Sequence, residues 1–239
     1  MITYRPLHEI RALTFDLDDT LYDNMPYIYA AEASLRHYVK THFPIAASIS
    51  PEQWKICRQH VLRLQPELVN DIGTLRKKVL HQGFTQAGMK VPDLAQAVDA
   101  CFSHFYYKRS DFSVSPAVVT VLKELSEKVP LAAITNGNVN CKQIGIADYF
   151  SHIIHACPKY PLKPNVAMFR HISKALNIPP KHILHVGDDL EKDVKGAILA
   201  GYQSAWFAVN RKMNLNQEAT ELLPTIQLSS LHQLTTLLP

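Results

Sequence analysis

Glycine is scarce in this sequence: 8 of 239 residues, about 3%, against an ordinary share of about 7%. That scarcity weighs against collagen-like chains, glycine linkers and nucleotide sites built on glycine loops. Cysteine is also sparse. Cys57, Cys101, Cys141 and Cys157 stand far apart with no Cys-x-x-Cys, so they read as free, mostly buried thiols in a reducing compartment. No run of five or six Lys/Arg occurs, and the formal net charge is only +4, so a dedicated nucleic-acid protein is not indicated. An anionic small substrate suits that balance. Apolar runs fall far short of the ~18 residues that span a bilayer, and Met1 to Glu9 has no apolar stretch of the signal-peptide kind. A cytoplasmic protein without membrane or nucleic-acid partners, monomeric or a small homo-oligomer, is the expectation.

What is present is an ordinary globular composition, 47% apolar and 19% charged. Those proportions supply a real core and exclude disorder. At roughly 150 residues per domain, the length fits one compact body with a sizeable insert. Short apolar runs at Ala12 to Leu17, Leu131 to Thr135, Ile153 to Ala156, Ile183 to Val186 and Ser204 to Val209 suit buried parallel strands. Helical patterns separate the later ones. Ser115-Pro116 is an N-cap with proline at the first helical position, and Val118, Val121, Leu122, Leu125 and Val129 fall on one face behind it. Met168, Ile172, Ala175 and Leu176 repeat the pattern ahead of Pro179-Pro180. This alternation predicts an α/β fold, a Rossmann-like doubly wound parallel sheet covered on both faces.

The interval between the first and second strands reads differently. Ser50-Pro51-Glu52-Gln53 is a capping box, and Leu94, Val98, Cys101, Phe102 and Phe105 form a helical stripe. About ninety residues are too many for a loop and enough for three or four helices. The expected organisation is a core domain of residues 1–21 and 113–239, with a helical cap domain at 22–112.

The chemistry-bearing residues gather at predicted strand ends. Asp16-Leu17-Asp18-Asp19-Thr20 closes the first strand, and alternation points Asp16 and Asp18 the same way. Two adjacent carboxylates need compensation, which a hard divalent cation with oxygen ligands supplies; a plain polar turn is the alternative. Gly187-Asp188-Asp189, with Asp193 beyond, brings a second acidic cluster to the carboxyl edge where open α/β sheets place their sites. Asp189 reads as a helix cap, and Asp193 can answer the helix dipole. Ile134-Thr135-Asn136-Gly137 offers neutral donors suited to phosphate oxygens. Lys163-Pro164 offers a point charge able to bind phosphate and hold two carboxylates together.

These four motifs, in this order, resemble the haloacid dehalogenase superfamily in its phosphatase branch, over nearly the whole chain. The long helical insert resembles that superfamily's first cap type. More narrowly, FDLDDTLYDN, AITNGN and ILHVGDD followed by DVKGA are similar to bacterial phosphatases of riboflavin synthesis, which act on a ribitylaminouracil phosphate and on flavin mononucleotide (FMN). The resemblance implies Asp16 as nucleophile and Asp18 as acid and base. It implies Mg²⁺ held by Asp16, the Asp18 main-chain carbonyl and Asp188. Thr135, Asn136 and Lys163 would bind phosphate, with Asp189 and Asp193 in support. The expected substrate is a small phosphorylated metabolite.

Other sugar-phosphate or nucleotide phosphatases, and phosphomutases, share that equipment. A dehalogenase proper has no need of Asp18. A phosphoaspartate signalling module without turnover is usually about half this length and lacks a helical insert. The pairs His152/His155 and His182/His185 are offset by three, hence on opposite strand faces, and read as packed or surface histidines. Tyr27 and Tyr29 are more open to a stacking ring than Phe102 and Phe105, which belong to the stripe. Arg76-Lys77-Lys78 reads as a solvated helix face.

Overall fold

A computed structural model describes residues 1–90, 93–218 and 220–238. Strands β1 (Ile2–Thr3) and β2 (Ala12–Phe15) lead into four helices, α1 (Met25–His42), α2 (Pro51–Leu64), α3 (Ile72–Gln86) and α4 (Asp93–Arg109). Then come α5 (Pro116–Ser126), β3 (Leu131–Thr135), β4 (His152–His155), α6 (Ala167–Leu176) and β5 (Ile183–Gly187). A π-helical segment, Leu190–Lys195, runs into α7 (Gly196–Leu199), followed by β6 (Gln203–Trp206) and β7 (Ile226–Gln227). The chain divides into two compact units. One comprises residues 1–24, 113–137 and 141–239, and the other residues 25–112 with 138–140.

The first unit is built on one seven-stranded sheet in the order β1-β7-β6-β5-β2-β3-β4, parallel except for the β1–β7 pair. Each residue of β2, β3 and β5 is buried, so both faces of the central strands are covered. On one face Ala12, Ile134 and Ile183 pack with Met168, Phe169 and Ile172 of α6. Phe169 also meets the buried Tyr202, whose hydroxyl donates to the Phe169 carbonyl at 2.7 Å. Helix α5 starts where expected, the Ser115 side chain accepting from the Val118 N–H, and it ends before Val129. From β2 the chain goes to β3 on one side, while β5 pairs on the other. A crevice therefore opens at the carboxyl ends of β2, β3 and β5, the switch point of the sheet.

Three differences from expectation concern strand ends, one being that the run expected to reach Val209 ends at Trp206. The first run stops at Phe15, two residues early, because the chain turns at Leu17. The two-residue strands β1 and β7 carry no sequence pattern at all; they exist because an edge was available to pair with.

Among the described residues the second unit carries helices and no strand. The Ser50 capping box forms in full, with Pro51 at the first helical position. Leu35, Phe84, Leu94, Val98, Cys101 and Phe105 bury into one core. Filling such a position stabilises a fold by roughly 1.5–3 kcal/mol per side chain. Gly83 on α3 lets the Trp54 indole of α2 lie where a Cβ would stand. Arg76 departs from the solvated reading: its guanidinium lies 3.4 Å from the Phe105 ring centroid and pairs with Glu32 at 2.7 Å. Tyr27 stacks on Phe112 at 3.7 Å, whereas Tyr29 is exposed. Cys57, Cys101, Cys141 and Cys157 are free thiols. Among the described residues no helix is long and apolar enough to cross a membrane.

Candidate active site

Asp16 directly follows β2, and its N–H donates to the Val186 carbonyl of β5 at 2.8 Å. That extra ladder bond fixes where the carboxylate leaves the sheet. The chain then winds tightly: the Leu17 carbonyl accepts from the N–H groups of Thr20 and Leu21 at 3.3 and 2.9 Å. Asp19 adopts a left-handed φ of 63°, a conformation aspartate tolerates better than most residues. The turn brings Asp18 into the same cavity as Asp16, where the Tyr22 hydroxyl donates to Asp18 Oδ1 at 2.6 Å. The cavity, about 180 Å³, is also lined by Thr135, Asn136, Lys163, Asp188, Asp189 and Asp193.

Lys163 is 3% exposed, and its three ammonium protons all have acceptors. Nζ donates to Asp16 Oδ1 at 2.5 Å, to Asp193 Oδ1 at 2.6 Å and to the Ile134 carbonyl at 2.7 Å. Asn136 fixes the backbone of the same residue: its Oδ1 accepts from the Lys163 N–H at 2.8 Å, and its Nδ2 donates to the Lys163 carbonyl at 3.1 Å. The Asn136 side-chain amide thus holds the lysine loop. Thr135 Oγ1 accepts from the Gly137 N–H at 2.9 Å.

On β5's side, Asp188 is gripped by a residue the sequence did not single out. Arg211 Nη1 donates to Asp188 Oδ2 at 2.8 Å, and Nη2 donates to the Asp188 carbonyl at 2.7 Å. The Trp206 indole donates to that same carbonyl at 2.7 Å. Asp189 caps the following helical segment, Oδ1 accepting from the N–H groups of Glu191 and Lys192 at 3.0 and 2.9 Å. Asp193 is buried against Gly187, where any Cβ would overlap its carboxylate. Its Oδ1 takes Lys163 and His185 Nε2, the latter at 3.1 Å, and its Oδ2 accepts the Asp189 N–H at 3.1 Å.

The electrostatics follow from this crowding. Burial raises the Asp16 carboxyl well above its ordinary range; Lys163 opposes that, while Asp193 and Asp18 add to it. Burial, helped by repulsion from Asp193 and opposed by Arg211, pushes Asp188 up to about 6. Burial also works against a charged Asp193, yet Lys163 and His185 outweigh it and hold that carboxyl well below the usual range. The Lys163 ammonium, disfavoured by burial, is kept charged by Asp16 and Asp193. Burial lowers His185 and favours its neutral ring.

Six acids, Asp16, Asp18, Asp19, Asp188, Asp189 and Asp193, thus line the cavity with two lysines, Lys163 and Lys192, and Arg211 pairs with Asp188. Asp16, Asp188 and Asp193 each offer a carboxylate oxygen within 4.8 Å of one another, a spacing that could hold a metal ion. Oxygen donors and surplus negative charge fit a hard divalent cation. Both Asp193 oxygens have protein donors, and so do those of Asp16, Oδ1 from Lys163 and Oδ2 from the Thr20 hydroxyl at 3.4 Å.

Arg211, the Tyr22 hydroxyl, Thr14 and His185 escaped sequence reasoning. Arg211 sits 23 positions beyond its partner, and no spacing rule connects them. The other histidines behave as packed or surface groups; His155 Nδ1 lies 3.0 Å from the Gly137 carbonyl and His182 Nδ1 lies 3.1 Å from the Glu9 carbonyl.

Comparison with known proteins agrees with this geometry. Residues 10–201 match the family model for haloacid dehalogenase-like hydrolases. The chain is 37% identical over 235 residues to the 5-amino-6-(5-phospho-D-ribitylamino)uracil phosphatase YigB of Escherichia coli, covering 98% of this chain and 99% of that one. It is 28% identical to a phosphoglycolate phosphatase of Neisseria meningitidis, covering 82% of this chain and 79% of the relative. A crystal structure of a 2-haloacid dehalogenase from Pseudomonas syringae superposes with a TM-score of 0.88 at 31% identity, covering 95% and 97% of the two chains. With the acids at the sheet's switch point and the match running through them, the chain belongs to the haloacid dehalogenase-like hydrolases, among relatives that hydrolyse phosphate monoesters.

Proposed function

We propose that this protein is a Mg²⁺-dependent phosphatase of small phosphorylated metabolites that works through an aspartyl-phosphate on Asp16. The observation that carries the reading is the meeting of Asp16 and Asp188 with Asp193 in one acidic cluster, with Lys163 bonded to Asp16. A dianionic phosphate entering a cavity lined by six aspartates needs more positive charge than Lys163 and Lys192 carry. Asp16, the Asp18 main-chain carbonyl and Asp188 are the groups that would hold Mg²⁺. When bound, the ion supplies charge neutralisation for the phosphoryl oxygens.

The residues then divide the labour. The Asp16 carboxylate attacks phosphorus, the bond from phosphorus to the ester oxygen breaks, and that oxygen leaves with a proton from Asp18. In the second step a water attacks the phosphorus of the aspartyl-phosphate, passes its proton to Asp18 and releases the Asp16 carboxylate. Lys163 holds the nucleophile and lends a fixed positive charge where the transferring group gathers negative charge. Thr135 and the main chain at Asn136 face the phosphate oxygens. The Asn136 side chain contributes by keeping the Lys163 loop in place. The Tyr22 hydroxyl orients Asp18.

The relative at 37% identity supports a ribitylaminouracil phosphate as substrate, and the sequence resemblance adds FMN as a second ester. The four free thiols suit a cytoplasmic setting. The test is a panel of phosphate esters, comprising the ribitylaminouracil phosphate, FMN, phosphoglycolate and sugar phosphates, assayed for phosphate release with Mg²⁺ and after chelation. A 2-haloacid assayed for halide release completes the panel. The expected result is metal-dependent phosphate release, greatest for the ribityl ester, and no halide. Halide release without phosphate release would overturn the reading.

A further inference from the structure

Beneath the acids lies a buried polar chain that the proposed chemistry leaves unused. His185, in the middle of β5, is fully buried, as are Thr14 on β2 and Asp193. Thr14 Oγ1 stands 2.9 Å from His185 Nδ1, and His185 Nε2 stands 3.1 Å from Asp193 Oδ1. Asp193 Oδ1 is the oxygen that accepts from Lys163, which in turn bonds Asp16. Four side chains from four segments thus form one line from the sheet interior to the nucleophile.

We infer that His185 is a positioning residue for phosphoryl transfer: its imidazole fixes the Asp193 carboxylate so that Lys163 is aimed at Asp16. The claim rests on the phosphatase reading above and adds to it a residue that touches no substrate.

The direction of each bond follows from the donors. An ionised carboxylate only accepts, so His185 Nε2 carries a proton. In a neutral ring Nδ1 is then the acceptor, and the Thr14 hydroxyl donates to it. This tautomer lets the ring bond Asp193 without bringing a second positive charge beside Lys163. The line is also sterically locked. Phe169 meets the imidazole edge-to-face at 4.9 Å, and Gly187 is cut away to seat the Asp193 carboxylate. The Asp189 N–H already pins Asp193 Oδ2; the ring adds a donor on Oδ1, so both carboxylate oxygens are fixed where Lys163 meets them.

A spectroscopic and a kinetic arm test the proposal on the full-length protein. Nitrogen-15 NMR of the imidazole should show the proton on Nε2 at pH 7; a proton on Nδ1 alone would overturn the inference whatever the activity. For kinetics, His185→Leu, His185→Gln and His185→Asn are compared with the unmodified protein using 4-nitrophenyl phosphate and Mg²⁺. Outer partners of this kind typically matter by about 10–100-fold. His185→Leu should lower kcat by about tenfold at the least, with KM within about twofold. Glutamine reaches as far as Nε2 and should restore most of kcat, whereas asparagine reaches only Nδ1 and should not.

A merely structural histidine is separated by the double variant Thr14→Val/His185→Leu. His185→Leu alone strands the buried Thr14 hydroxyl as well as removing a donor from Asp193, and Thr14→Val removes the stranded hydroxyl. The double variant should therefore melt above His185→Leu while kcat stays equally low. Full kcat in His185→Leu or in the double variant would overturn the positioning role alone. Absence of phosphate release from the unmodified protein would instead bring down the phosphatase reading itself.

Discussion

Two glycines make room of the same kind for opposite neighbours. Gly83, between two helices of the helical unit, leaves space for the Trp54 ring, while Gly187, at the end of β5, leaves space for the Asp193 carboxylate. Around the first, the packing is aromatic and aliphatic, with Phe84 fully buried. Around the second, the buried groups are charged: Asp16, Lys163 and Asp193. Close packing at Gly83 holds a shape, and its loss is a matter of stability. Close packing at Gly187 holds the direction of a charge, and its loss is a matter of turnover. The sheet-bearing unit buries acids that share one lysine, and taking each ion out of water costs several kcal/mol that the pairing must offset.

The largest way to sharpen this contrast is at the nucleophile. Asp16→Asn should remove phosphate release by at least about a thousandfold, as loss of a covalent nucleophile does. Its melting temperature should hold or rise, because a strained acid has been neutralised. Retained turnover, measured on purified protein, would break the comparison. Next comes Gly187→Ala, which forces the Asp193 carboxylate aside. We expect kcat to fall about 10–100-fold with KM little changed, the size typical of a lost outer partner.

A third effect is visible through pH. Asp188 titrates near 6 in the folded protein against 3.8 as its ordinary value. A raised folded-state value stabilises the protein below pH 3.8, and that stabilisation is lost as pH climbs through about 6. Without metal, Asp188→Asn should therefore melt above the unmodified protein at pH 7 and alongside it near pH 4. Millimolar Mg²⁺ should raise the melting temperature of the unmodified protein at pH 7 and not that of the variant. Equal melts across that range would show that Asp188 is not strained.

The smallest effect belongs to the helical unit. Gly83→Ala would gain about 1 kcal/mol of helix propensity but overpack against Trp54 at a cost of about 1–3 kcal/mol. Denaturant unfolding should show a modest net loss, while kcat for a small aryl phosphate stays within about twofold of the unmodified enzyme.

How far the sequence revealed these two regions depends on the range of the interaction involved. The central strands were legible because a strand buried on both faces is a contiguous apolar run. The acids were legible because parallel strands deliver their ends to one edge. The Ser50 and Ser115 caps are local hydrogen bonds written within four residues. The sequence was silent where partners are remote. Asn136 bonds the backbone of Lys163, 27 positions away, a contact that no local pattern announces. Arg211 lies in a loop with no pattern. His185 sits inside the run Ile-Leu-His-Val and reads as packed; its bond to Thr14 spans 171 positions. Arg76 seemed a solvated charge until helix packing laid it over Phe105.

The central claim is that Asp16, and not another acid of the cluster, carries the phosphoryl group. Acid-quenching the protein during turnover and reducing with borohydride converts an aspartyl-phosphate to homoserine, which peptide mass spectrometry locates. The account predicts homoserine at position 16, dependent on both substrate and Mg²⁺. Homoserine at position 18 or 188, with position 16 unmodified, would contradict it.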